Sequence, residues 1–151
     1  MVSGIVVLDA GPLGMLTNPK RSPATMACAR WLQTLAASDA RVIVPEIADY
    51  EVRRELIRAN KSKGLSHLDD LCQLLEYLPL DTASMRRAAL FWAQARQQGQ
   101  PTASDKTIDA DMILAGQAMG FDASQVVVAT TNVGHLSRFA PAELWTNIAA
   151  S

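Results

Sequence analysis

Apolar positions along the chain form two kinds of pattern, and the two kinds alternate. Short, continuously apolar runs rich in β-branched residues are typical of strands buried on both faces of a parallel sheet, and they lie at 5–8, 42–45 and 126–129. Apolar residues at helical spacing predict helices, at 24–37, 46–60, 66–77, 82–98 and 109–119. This alternation predicts an α/β fold in which helices cover both faces of a central parallel sheet.

Several element boundaries follow from local residue types. Gly64 is a plausible stop for the helix that starts at 46, and Thr82 is a candidate cap for the helix over 82–98. The segment 78–80 contains Pro79, so we expect either a short edge strand or a connector there. Residues 99–105 are expected to form a loop, and 141–148 to form a final short helix.

Length, charge and cysteine content narrow the class of protein. The 151 residues fit a single domain over 1–151. The net charge of −1 neither supports nor excludes a nucleic-acid substrate, although 12 of the 14 Lys and Arg residues precede residue 97. Two cysteines in helical patterns, with no secretory signal and no apolar run of membrane-spanning length, predict free thiols in a cytoplasmic protein.

Acidic residues fall at positions that a parallel sheet brings to one edge. Asp9 ends the first strand, Glu51 lies one to two turns into the helix after the second strand, and Asp111 lies near the start of a later helix. The segment Thr130-Thr131-Asn132 follows the last strong strand. Since ligands of open α/β sheets bind outside the carboxyl ends of the strands, these side chains are expected to meet there.

A group of carboxylates is best explained by a hard cation, because acids that lie close together otherwise repel and take up protons. Mg²⁺ or Mn²⁺ prefers such oxygen ligands and can activate water for phosphodiester hydrolysis. Each acid also has a simpler interpretation when it is considered alone. Asp9, Asp109 and Asp111 are candidate helix caps, and Glu51 is a candidate exposed helical residue. No Ser-His-Asp or Cys-His arrangement competes, since His67 and His135 have no obvious partners.

Four segments, in this order, resemble the PIN-domain family over nearly the whole chain. They are Val6-Val-Leu-Asp9, Pro45-Glu-Ile-Ala-Asp-Tyr-Glu51-Val, Asp111-Met-Ile-Leu-Ala115-Gly-Gln-Ala118 and Val127-Val-Ala-Thr-Thr-Asn132, followed by the similar His135-Leu-Ser-Arg-Phe139. The resemblance implies a three-layer α/β/α fold and a Mg²⁺- or Mn²⁺-dependent ribonuclease. It also implies metal ligation by Asp9, Glu51 and Asp111, with Asn132 as a fourth catalytic position. Many bacterial members resemble VapC-type toxins, so an antitoxin partner and a homodimer are further implications.

The chain departs from the family pattern at two positions. Asn132 stands where a fourth acid is expected, which predicts one metal or a weak second metal site, unless Asp105 or Asp109 compensates. Gly11 stands where a small hydroxyl or amide residue is common, two places after the first acid. The apolar pattern that follows favours Asp111 over Asp109 as the third acid.

Two alternatives to a ribonuclease remain at this point. A PIN-fold module that binds RNA or protein without cutting is favoured by Asn132. A phosphotransfer enzyme of haloacid-dehalogenase or receiver type would also have an acid after its first strand, but the further acids of those families are missing here. The cationic helix end with Arg53, Arg54, Arg58 and Lys61 is either a guide for RNA phosphates or a solvated surface.

Overall fold

A parallel sheet forms the centre of the computed structural model, which describes residues 4–98 and 105–149, with only the backbone described at 105–108. Its strands within these ranges are β1 (Ile5–Leu8), β2 (Arg41–Pro45), β3 (Glu76–Leu78), β4 (Val126–Thr130) and β5 (Ala142–Leu144). All neighbouring strands are parallel, in the order β3-β2-β1-β4-β5. The short strands β3 and β5 form the two edges, and the fully apolar strand β1 lies in the middle.

Helices connect the strands and cover the sheet. They are α1 (Ala10–Thr17), α2 (Pro23–Ala36), α3 (Glu46–Arg58), α4 (Ser62–Leu74), α5 (Thr82–Gln97) and α6 (Asp105–Ala118), with 3₁₀ turns at Leu136–Arg138 and Trp145–Asn147. No helix within the described residues combines the length and the apolar character that a membrane span requires.

Alternate residues of the central strand pack on opposite layers. Val6 and Leu8 belong to a buried cluster with residues of α1, α2, α3 and α4. Ile5 and Val7 belong to a second cluster, which contains residues of α3 and α6 and has Phe91 of α5 packed against it. The side-chain period of two therefore places apolar side chains in two helical layers, and the predicted three-layer α/β/α fold with a central parallel sheet is confirmed.

The strand order determines where a ligand site can form. The chain runs outward from β1 to β2 and β3 on one side, and then to β4 and β5 on the other. The connections after β1 and β4 therefore diverge at the carboxyl ends of these two neighbouring strands, which leaves a crevice. Asp9 is the first residue after β1, and so it lies at the crevice.

Two local predictions were wrong in the first half of the chain: a turn at Asp9-Ala-Gly-Pro12 and a helix stop at Gly64. The segment after Asp9, which looks like a turn, is the helix α1, because Pro12 lies in its first turn, where no backbone N–H donor is needed. Gly64 does not stop a helix but lies inside α4, under Leu56: a Cβ on Gly64 would lie 2.7 Å from Leu56 Cδ2. The preceding helix ends instead just before Asn60, which has a φ of 57°.

The other boundary errors lie at the sheet edges and at helix starts. The predicted strand around Pro79 lies slightly earlier, at β3, and is an edge strand as expected. Asp81, not Thr82, caps α5 by accepting a hydrogen bond from the Ser84 N–H at 2.7 Å. The predicted final helix over 141–148 is instead the edge strand β5 and a 3₁₀ turn. Most of the predicted loop at 99–105 lies outside the described residues, and α6 is already helical at 105.

Candidate functional site

Asp9 is held at the crevice by backbone and side-chain donors. Its backbone N–H donates to the Ala129 carbonyl at 2.9 Å, which extends the pairing of β1 with β4. One carboxylate oxygen caps α1 by accepting from the Ala10 N–H, and the other accepts from the Thr130 hydroxyl, each at 2.7 Å. The capping role considered for Asp9 is therefore confirmed, and the cap also fixes the orientation of this carboxylate.

Glu51 lies in the second turn of α3, and its side chain is only 23% exposed. Burial, and then the negative charge of Asp9, raise its pKa to about 7. Arg54, one turn further along the helix, has an opposing effect, but its Nη2 lies 4.0 Å from the Glu51 carboxylate. The charge of Asp111 raises the pKa further. Glu51 is therefore a partly buried acid rather than an exposed helical residue. The charges of both other predicted ligands, Asp9 and Asp111, affect its pKa.

Asp111 lies within α6, six residues after the first helical position described, and so it does not cap this helix. Burial, and then the charge of Asp9, raise its pKa to about 6. Asp109 is exposed and lines a groove beside Met85 and Trp92 of α5. The two aspartates therefore have different surroundings, and the charge of Asp9 acts on Asp111. The side chain of Asp105 lies outside the described residues.

The three acids have the chemistry of a site for a hard cation. Burial first, and then the charge of neighbouring acids, raise the pKa values of Glu51 and Asp111. A divalent cation bound to the carboxylate oxygens would favour the ionised forms and remove the repulsion between them. Within the described part of the chain, no three His, Cys, Asp or Glu side chains converge into a ready-made metal cage. The donor set thus fits Mg²⁺ or Mn²⁺ in type and charge, and ligation by these residues remains a prediction.

Within the described residues, hydrogen bonds connect Asn132 to Asp9 through Thr130. Its backbone N–H donates to the Thr130 hydroxyl at 3.1 Å, and that hydroxyl donates to Asp9. The Asn132 side chain is exposed, and its Oδ1 lies 3.3 Å from the position that a Cβ on Gly134 would occupy. Gly134 has a φ of +42°, which favours glycine. Asn132 therefore belongs to a tight turn at the rim of the site.

Thr131 explains the glycine at position 11. A Cβ on Gly11 would lie 2.5 Å from Thr131 Oγ1 and 2.8 Å from its Cγ2. The side chain of Thr131 therefore occupies the space that a side chain at position 11 would need. The sequence departure at Gly11 has a steric cause, and an exposed hydroxyl from the β4 end still lies over the first turn of α1.

Two residues outside the predicted ligand set hold the site together, and of these only Gln117 was not placed at the site by the sequence. Thr130 is 1% exposed and orients Asp9. Gln117 of α6 is also 1% exposed; it accepts from the Ile47 N–H at 3.1 Å and donates to the Leu78 carbonyl at 2.9 Å. Since α3 has no capping side chain of its own, Gln117 caps it and fixes the helix of Asp111 against the helix of Glu51.

The cationic end of α3 is mostly paired within the protein. Arg53 contacts Asp49 at 3.0 Å and Asp69 at 2.8 Å, and Arg58 contacts Glu55 at 2.8 Å. Such exposed pairs contribute little to stability, but they reduce the charge available to an RNA phosphate. His67 contacts the Thr17 carbonyl through Nδ1 at 3.2 Å, and His135 contacts Arg138, so both histidines have partners.

Comparisons with known proteins identify the fold. No protein-family model and no curated protein matches the sequence. Solved structures of toxin–antitoxin complexes do match. VapBC2 from Rickettsia felis, bound to a promoter DNA fragment, is 17% identical, with a TM-score of 0.73 over 93% of this chain and 98% of that chain.

Two further structures agree. VapBC-1 from nontypeable Haemophilus influenzae is 18% identical, with a TM-score of 0.68, and covers 95% of this chain and 99% of its own. FitAcB from Neisseria gonorrhoeae is 19% identical, with a TM-score of 0.67, and covers 94% of this chain and 99% of its own. The chain therefore has the PIN-like fold of VapC-type structures, as the sequence resemblance predicted.

Proposed function

We propose that this chain is a Mg²⁺- or Mn²⁺-dependent endoribonuclease, and the toxin of a toxin–antitoxin pair. The observation that carries the proposal is the Asp9 carboxylate at the crevice between β1 and β4, whose negative charge acts on both Glu51 and Asp111. Fold alone does not imply function, but here the acids lie where open α/β sheets bind ligands. The structural neighbours, which are toxin–antitoxin complexes, support the second part of the proposal.

Asp9, Glu51 and Asp111 would hold the metal. The bound ion would supply an activated water and stabilise the charge that develops on the phosphodiester. Thr130 keeps the Asp9 carboxylate in place, and Gln117 keeps Glu51 and Asp111 on helices of fixed relative position. Arg54 is half exposed beside Glu51 and could contact a substrate phosphate.

RNA cleavage tests this function with a control that the chain itself provides. Purified protein is incubated with single-stranded and structured RNA in Mg²⁺, in Mn²⁺ and in EDTA. Asp9→Asn and Asp111→Asn should abolish cleavage, whereas Asp109→Asn, two residues away on the same helix and exposed, should retain it. Equal cleavage by the wild type and Asp9→Asn, or cleavage in EDTA, would contradict the proposal.

A second candidate function is RNA or protein binding without cleavage. Asn132 favours it, since the fourth position supplies an exposed amide and no charge. Calorimetry with Mn²⁺ separates the two candidates. The nuclease requires Mn²⁺ binding that Asp9→Asn and Asp111→Asn remove, while a binding module requires no such metal affinity.

The partners and location belong to the same proposal. An antitoxin would cover the acidic crevice, and co-expression with the product of an adjacent short reading frame should yield a stable complex. The family resemblance also implies a homodimer, and sedimentation measures its mass. Both cysteines are free thiols, which is compatible with the proposed cytoplasmic location.

A further inference from the structure

A groove with an apolar floor and a cationic rim lies at the far end of α1. It has a volume of about 470 Å³ and is formed by the last turn of α1, the connection that follows it, α2 and one residue of α4. Its floor contains Met15, Leu16 and Met26, and its rim carries Lys20, Arg21 and Arg30. No Asp or Glu lines it among the residues that the structure describes.

The three cations on this rim differ from those of α3. Lys20, Arg21 and Arg30 are exposed, and none of them forms an ion pair within residues 4–98 and 105–149. Arg53 and Arg58 of α3, in contrast, are paired with carboxylates. In a protein whose net charge is −1, this groove is therefore a local region of uncompensated positive charge.

The segment that carries two of these cations is held in place by its own hydrogen bonds. The Lys20 N–H donates to Asn18 Oδ1 at 3.0 Å, and the Lys20 carbonyl accepts from Thr25 Oγ1 at 2.8 Å. Ser22 and Thr25 form a capping box at the start of α2. The connection is thus a defined surface, and ordering it on binding would cost little backbone entropy.

The groove and the acidic crevice lie at opposite ends of one helix. Helix α1 is capped by Asp9 and spans eight residues, so about 12 Å separates its two ends. Acids at the crevice repel an RNA backbone, and attraction must come from cations nearby. A single strand that crosses the crevice could reach the groove within a few nucleotides, with its phosphates on the cations and its bases against the apolar floor.

We propose that this groove binds the backbone of single-stranded RNA and positions it across the acidic crevice. The proposal rests on the ribonuclease function above, since it concerns the same substrate. Phosphate contacts of this kind position a nucleic acid without reading its sequence. The groove therefore contributes affinity and alignment, while sequence preference must come from other residues.

The salt dependence of RNA binding tests the proposal. Fluorescence anisotropy measures binding of a labelled single-stranded RNA in EDTA to the wild type and to Lys20→Gln/Arg21→Gln/Arg30→Gln. Each lost phosphate contact should lower the slope of log K against log salt by about 0.7, so the triple variant should lose about 2 in total. The matched control is Arg58→Gln/Lys61→Gln/Lys63→Gln, which removes the same charge at the end of α3 and beyond, and should lose less.

The outcomes separate this proposal from its alternatives. An unchanged slope in the groove variant, or an equal loss in the control, would overturn it. If the groove variant loses affinity for a poly-glutamate peptide but not for RNA, the groove is a surface for an acidic protein, and the proposal is wrong.

Cleavage kinetics distinguish the groove from the nuclease site. If the wild type cleaves RNA, the groove variant should raise KM with kcat little changed. If the groove variant cleaves RNA with an unaltered KM, the groove proposal is wrong and the ribonuclease proposal still holds. If the wild type does not cleave RNA but the groove variant has a reduced salt slope of RNA binding, the groove proposal is supported and the ribonuclease proposal is wrong.

Discussion

Removal of the Asp111 charge should stabilise the metal-free protein, and more so at higher pH. Burial and Asp9 raise the pKa of Asp111 from 3.8 to about 6. The folded protein therefore binds this proton more tightly than the unfolded chain does. Proton binding by Asp111 therefore adds to the free energy of unfolding. This contribution is complete below about pH 4, falls between about pH 4 and pH 6, and is absent above that range. Asp111→Asn has no titrating group at this position, so its free energy of unfolding does not fall with pH for this reason.

The size of the stability change follows from the difference between the folded and unfolded pKa of Asp111. A change from 3.8 to about 6 corresponds to roughly 3 kcal/mol at about 1.4 kcal/mol per unit. Solvent reaches this partly buried side chain, and screening reduces the effect to about 1–2 kcal/mol. Glu51, with a pKa of about 7, also lowers the free energy of unfolding as the pH rises, at slightly higher pH than Asp111 does. The wild type in EDTA should therefore become less stable from about pH 4 to about pH 8 at this site.

Urea denaturation in EDTA measures this difference. The gain of Asp111→Asn over the wild type should be near zero at about pH 4 and about 1–2 kcal/mol at about pH 8. Asp109→Asn is the control, because Asp109 is exposed, and it should show no gain at either pH. Saturating Mg²⁺ at about 100 times its Kd should stabilise the wild type by about 2.7 kcal/mol and leave Asp111→Asn unchanged. Equal gains at both pH values, or a destabilised variant at high pH, would refute the reasoning.

Three other substitutions test the supporting structure. Gln117→Leu leaves the Ile47 N–H and the Leu78 carbonyl without partners, so it should cost about 2–4 kcal/mol in urea denaturation; Gln117→Glu should also destabilise the protein at neutral pH, because a buried carboxylate cannot donate to the Leu78 carbonyl, and should destabilise it less at low pH, where the protonated acid can donate. Gly11→Ala should cost about 1–2 kcal/mol because its Cβ meets Thr131, and an added Thr131→Ala should recover most of this loss; absence of recovery would contradict the steric account. Asn132→Asp adds a carboxylate at the rim and should tighten Mn²⁺ binding in calorimetry; unchanged affinity would show that position 132 lies outside the metal's reach.

The sheet and its acidic edge were predictable because they depend on strong, local patterns. The runs at β1, β2 and β4 are apolar on both faces, and only a sheet covered by two helical layers buries such strands. Asp9 then follows from its place after β1. The pattern also placed Glu51 and Asp111 near this edge, and the resemblance predicted them as metal ligands; burial, and then the charge of Asp9, raise the pKa values of both.

The elements that were missed depend on contacts far apart in the sequence. Strand β5 has three residues and no β-branched one, and it exists because it pairs with β4. The segment after it is held by Trp31, whose Nε1 donates to the Ile148 carbonyl at 2.9 Å and whose ring lies 5.5 Å from Trp145. Neither contact has a signal within the segment itself, so its pattern alone favoured a helix.

The same reasoning explains why the supporting residue Gln117 escaped notice. Gln117 looks like an ordinary polar position on a helix, and its value comes from two buried backbone groups on other elements. A buried amide that satisfies both a donor and an acceptor is costly to replace, since either loss leaves a desolvated polar group. The one local signal was a polar residue within an otherwise small and apolar helix face, at Ala115-Gly116-Gln117-Ala118.

The fourth predicted position of the site, Asn132, is held by the same threonine that orients Asp9. Thr130 is buried and donates to Asp9, and its hydroxyl also receives the Asn132 N–H. This part of the site therefore supplies hydrogen bonds to the first acid rather than a further negative charge. Three carboxylates with one divalent cation leave a charge of about −1, whereas a second cation would make the site positive before a phosphate arrives. We therefore predict that one metal ion binds here, with the Asp9 carboxylate oriented by Thr130 rather than by a second ion.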